Sequence, residues 1–175
     1  YSEESMFLDA AHRDIQLAAY TLVHFIGVNV AFIPTTDFES GVPKTLSGVP
    51  LLLVPSTTHI SDSALEGVRH AASSTDIETT VAVVGNATTF LATFLYDDMG
   101  HQRSTVPGWL QQVPKVDVGG TAGANLSAFY SMVHLVNNAG AATQSVACRG
   151  VDDLMPVYGI LCRSAIVDDY AVVAV

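Results

Sequence analysis

The side chains able to do chemistry in this sequence are scattered, and their spacing decides what each can do. Ser56 stands in Pro55-Ser56-Thr57-Thr58-His59 directly after one apolar run, and Asn86 opens Asn86-Ala87-Thr88 after another. Parallel sheets collect ligands where their strands run out into loops. Ser56, Thr57, His59, Asn86 and Thr88 are therefore the candidate ligand-facing residues. His59 also has a plainer account, as a loop histidine bonding backbone near a helix start. Ser56 has no acid and histidine partner at a recognisable spacing, so no nucleophile of the Ser-His-acid kind is expected. Asp97-Asp98, Asp152-Asp153 and Asp168-Asp169 are three acidic doublets. Neighbouring residues of a strand point to opposite faces, whereas a glycosidase pair comes from separate elements about 5–10 Å apart. Solvated turns explain the doublets more simply than calcium ligation does.

Motifs with stricter geometry are missing. There is no Gly-x-Ser-x-Gly, no P-loop and no His-Glu-x-x-His. Gly119-Gly120-Thr121-Ala122-Gly123 reads as a flexible joint, because a phosphate cradle needs a strand before it and a helix after it. Cys148 and Cys162 lack the paired short spacings of a zinc site, and no metal or other cofactor is expected. Two accounts of them stay open: a disulfide between adjacent antiparallel strands, as in an exported protein, or two buried thiols. The sequons Asn86-Ala87-Thr88 and Asn125-Leu126-Ser127 lean toward an extracellular or secretory setting; a cytoplasmic one is the alternative.

Composition narrows the partners. The 175 residues carry 7 Lys plus Arg against 17 Asp plus Glu, a formal net charge of -10. Nucleic acid and anionic membrane surfaces both need clustered positive charge, so neither is expected as a partner. No apolar stretch reaches the roughly 18 residues that a membrane span needs. Hydrophobic residues make up 49% and charged ones 14%, enough apolar material for a sizeable core.

The elements that must position these side chains alternate in the first half. Ser2 or Ser5 is placed to cap a helix whose inner face is Ile15, Ala18, Ala19, Leu22, Phe25 and Ile26, stopped at Gly27. Val28 to Ile33 reads as a strand. Val49 to Pro55 reads as a second, apolar on both faces, as in a parallel sheet. Ser61 or Ser63 caps the next helix, and Ser63-x-x-Glu66 has the form of a capping box. Thr80 to Gly85 is a further buried strand. A sheet of this kind normally begins with a strand before its first helix, so the expectation is a chain cut just after that strand. Beyond residue 105 the texture changes, and Ala128–Val136, Thr143–Cys148, Val157–Cys162 and Tyr170–Val175 read as strands at hairpin spacing. The expected organisation is an α/β domain over residues 1–105, a linker over 106–124 and a small antiparallel β domain over 125–175.

The opening Tyr1-Ser2-Glu3-Glu4-Ser5-Met6, the run Phe25 to Ile33, the corner Leu51 to Asp62 and the turn Tyr96-Asp97-Asp98-Met99-Gly100 together resemble the glutamine-amidotransferase-like domain of some glycoside hydrolases. The β-galactosidase trimerisation domain is the best-known example. Val133 to Asn138, Val151 to Leu154 and Asp169 to Val175 are similar to the strands of the small β-sandwich that often ends such enzymes. The resemblance implies a flavodoxin-like parallel sheet with helices on both faces, followed by that sandwich. It implies a non-catalytic accessory role in oligomerisation, or in packing against an upstream catalytic barrel, with carbohydrate as a further partner. A barrel takes about 250 residues and is not contained in this sequence, so no catalytic residue is carried over. The competing expectation is a free-standing extracellular structural or carbohydrate-binding protein.

Overall fold

The computed structural model describes residues 1–74, 78–119 and 126–141, and the backbone of 163–167 and 170–174. The first helical region breaks in two because two caps lie seven residues apart. The Ser2 hydroxyl accepts the Ser5 amide and opens α1 (Glu3–Leu8). The Asp9 carboxylate accepts the Ala11 amide and opens α2 (Ala10–Ile26). Gly27 ends α2 in the left-handed conformation at φ 84, donating its amide to the carbonyls of Val23 and His24.

β1 (Leu51–Pro55) and β2 (Thr80–Gly85) pair in parallel, with Leu51 opposite Thr80 and Pro55 opposite Val84. Between them runs α3 (Asp62–Ser73), capped by Ser61, whose hydroxyl accepts the Ala64 amide. The capping box expected at Ser63 is not used; Glu66 turns to Arg69 instead. After β2 comes the short α4 (Ala87–Ala92). β3 (Lys115–Asp117) pairs in parallel with the far side of β2, giving the order β1-β2-β3. The protein is thus a mixed α/β fold around a three-stranded parallel sheet.

Alternation along β2 divides the apolar interior. Ala82 and Val84 join Val116, Val118 and the inner faces of α2 and α5 (Leu126–Asn138) in one core. Val81 and Val83 join Val54, Ile60, Phe38, Leu46 and the α3 residues Ala64 and Val68 in the other. Gly67 lets α3 sit close to the turn Thr35–Phe38: a Cβ there would collide with the Phe38 carbonyl oxygen. Gly67→Ala is therefore expected to destabilise by about 1–3 kcal/mol despite its gain in helix propensity, measured by urea unfolding.

Several sequence expectations are corrected. Val28–Ile33 forms no strand: Val28 sits in a single bridge, and Asn29 to Ile33 belong to no ladder among the described residues, with Val30 and Phe32 exposed. A strand exists only through its partner, and none is present for Asn29 to Phe32 among the described residues. Ala128–Val136 is not a strand but part of α5, and its buried residues Phe129, Met132, Val133 and Val136 complete the first core. Residues 126–138 therefore belong to the α/β body and do not open a separate β domain. The linker expected at 106–124 contains β3 and a 3-10 turn at Gly108–Gln111. Gly119 does leave a strand and α5 does follow, contrary to the context expected for the glycine-rich stretch; residues 120–125 lie outside the described residues. At the C-terminal end, β4 (Arg163–Val167) and β5 (Tyr170–Ala174) form an antiparallel pair. Cys148, Cys162, Asn125, Asp152-Asp153, Asp168-Asp169 and the expected strand Thr143–Cys148 lie outside the described residues.

Candidate functional site

The carboxyl ends of β1 and β2 meet at a corner made of hydroxyls. Pro55 ends β1, and Ser56 follows at φ 31, a conformation that strains a side-chain-bearing residue. What holds it there is its hydroxyl, which donates to the Val84 carbonyl at 2.8 Å and accepts from the Thr89 hydroxyl at 3.1 Å. Ser56 has no exposed surface, and Thr57 and Thr58 have almost none. Gly85 is required beside them, since a Cβ there would overlap the Ser56 Oγ.

Asn86 caps α4. Its Oδ1 accepts the amides of Thr88 and Thr89 at 3.0 Å each, while the Asn86 amide donates to the Thr89 hydroxyl at 2.8 Å. This is a capping box with Thr in the place usually taken by Glu or Gln. Thr88 is exposed. His59 is half-buried and stacks on Tyr96, ring centroids 5.0 Å apart. The Ser5 hydroxyl accepts the His59 amide at 2.9 Å, tying the start of α1 to this loop. The structure brings Ser56, Asn86 and Thr89 into one hydrogen-bonded corner. His59 is fastened elsewhere, to α1 and to the Tyr96 segment.

Beneath the corner lies His12, fully buried on α2. Its Nδ1 is 2.7 Å from the Pro55 carbonyl oxygen; a carbonyl only accepts, so Nδ1 carries the proton. Nε2 has no partner among the described residues. Burial pushes the imidazole below its ordinary value, outweighing the Pro55 hydrogen bond that favours the charged form. Unfolded, the ring takes a proton near pH 6.5; folded, it resists. Protons then bind the unfolded chain preferentially, so stability is whole above pH 6.5 and falls as pH drops below it. Urea midpoints measured from pH 7.5 to 5 should decline, and His12→Gln should flatten that decline.

Arg103 closes the same end of the molecule. Its guanidinium donates to the carbonyls of Ile60, Phe94 and Tyr96 and to the Asp62 carboxylate. It fastens the loop after β1 to the segment after α4. Residue order does not betray this contact, because Ile60 and Arg103 are 43 positions apart. Likewise His12 and Thr89 join the corner, and Ser5 the His59 loop, through partners 33 to 54 residues away.

No group of three His, Cys, Asp or Glu among the described residues is placed to hold a metal ion. No helix among them is long and apolar enough to cross a membrane. Comparison with protein-family models, curated proteins and solved structures finds no match to this chain.

Proposed function

We propose that this chain is a packing module without chemistry of its own: the C-terminal accessory portion of a glycoside hydrolase, flavodoxin-like in its α/β part and ending in a small antiparallel β unit. Its partners are an upstream catalytic barrel or sister subunits, in an extracellular or secretory setting. The observation that carries the non-catalytic part is the Ser56 corner. At the site where such sheets present reactive groups, the hydroxyl is buried and held by Val84 and Thr89. A nucleophile needs a base within hydrogen-bond reach; His12 instead bonds the Pro55 carbonyl.

A contact role is supported by the outer face of the N-terminal helices, where Phe7 is 86% exposed, Leu8 68% and Leu17 59%. Apolar side chains so far out of the core favour burial against another surface. The glycoside hydrolase assignment rests on the sequence resemblance.

Reading the coding sequence upstream of Tyr1 tests the assignment. A (β/α)8 barrel with a pair of catalytic carboxylates is expected there, and its absence would overturn it. The purified 175-residue chain should leave a panel of aryl glycosides unhydrolysed. Turnover that Ser56→Ala abolishes would refute the non-catalytic reading.

A further inference from the structure

An apolar trough of about 480 Å³ runs along the outer edge of β1. It is lined by β1 over its whole length, by residues 28–33, by Ala19 and Val23 of α2, and by Phe38, Leu46 and Val68. Among the described residues neither segment has a ladder on the side facing the trough: β1 is an edge strand of its sheet, and Asn29 to Ile33 belong to no strand. The Thr80 amide bonds the Pro50 carbonyl. Since backbone groups alternate sides along a strand, Leu51 and Leu53 turn their amides toward the trough. Leu51, Leu52 and Leu53 are only half-buried there, unlike the fully covered residues of β2.

Pairing has already begun at one end. Tyr1 donates its terminal nitrogen to the Ile33 carbonyl at 2.8 Å and accepts the Thr35 amide at 2.8 Å. Those two bonds, to the residues either side of Pro34, form a parallel β-bridge. The terminal ammonium itself is buried, which pushes its pKa below the ordinary value. A peptide amide in its place would make the same bond to Ile33 without the cost of burying charge.

We propose that the trough is a β-strand slot, whose occupant is an extended apolar segment of about five residues joined to Tyr1, running parallel to β1 and pairing with β1 on one side and residues 28–33 on the other. The slot has the length of β1, about 17 Å at the usual rise of a strand. Apolar residues suit both of its faces, as in any covered parallel strand. Filling it turns residues 28–33 into the strand their composition predicts and makes the sheet five-stranded. The inference is independent of any glycoside hydrolase.

The test fuses Val-Ile-Val-Leu-Val directly before Tyr1 in the 175-residue chain, with Val-Pro-Asp-Pro-Ser as a control of equal length. Hydrogen exchange is expected to slow about tenfold or more at Leu51, Leu53, Asn29, Ala31 and Ile33, whose amides face the slot, in the apolar fusion, with a higher Tm, and not in the control. Val-Thr-Val-Thr-Val, more soluble and equally able to pair its backbone, should protect the same amides. If neither apolar nor Thr-containing fusion protects them, or the Pro control protects them equally, the slot does not exist. Protection by the free pentapeptide amide but by neither fusion would overturn the covalent occupant.

Discussion

Phe129→Ala should lower the free energy of unfolding by about 3–5 kcal/mol, the usual cost of emptying a buried aromatic site. Phe129 is fully buried in the core shared by α2, α5 and the sheet. Truncation would leave a void in the core that Phe129 shares with Ala18, Leu22, Val84 and Val116, all of them on fixed elements. Partial collapse would place the cost at the lower end of that range. Urea unfolding followed by far-UV circular dichroism measures it, with amide exchange on α2 as a second probe. Loss of protection on α2 is the decisive part, because it reports a core held in common. If α2 kept its protection while α5 alone came loose, the two would not share a core.

Arg103→Ala is expected to cost about 3 kcal/mol. The ion pair with Asp62 contributes little to that figure, since Asp62 is 86% exposed and surface pairs are worth about 0–1 kcal/mol. The weight lies in the carbonyls of Ile60, Phe94 and Tyr96, which lose a charged donor in a partly buried setting. Asp62→Asn should therefore cost under about 1 kcal/mol, and Arg103→Lys should recover less than half of the alanine loss, because an ammonium does not reproduce the planar fork. Equal losses for Asp62→Asn and Arg103→Ala would shift the explanation to the ion pair.

Elements with one strong local signal were legible from residue types alone. β2 is a continuous apolar run too short for a helix, and α3 begins at a serine with alanines and valine at helical spacing. The stop at Gly27 followed from glycine's freedom at positive φ. α5 departs from the expected strand because Val, Phe and Tyr favour strands, although Ala128, Phe129, Met132, Val133 and Val136 recur at helical spacing; tertiary burial decides it. β3 has three residues, too few to show a pattern. At the candidate site, the turning points after both strands were legible. That Ser56 would be sealed was not, since Thr89 and Val84 come from another strand-to-helix corner.

The meeting of α2 with α5 in one core has a consequence for how the molecule is made. Residues near position 20 close against residues near position 130, so this half of the interior stays open until the roughly 110 residues between them have left the ribosome. At about 5–20 residues per second, that interval lasts on the order of ten seconds. During it, Leu22, Val23 and Ile26 of α2 lack the neighbours that α5 supplies. The nascent protein is then a natural client for chaperones until α5 has emerged.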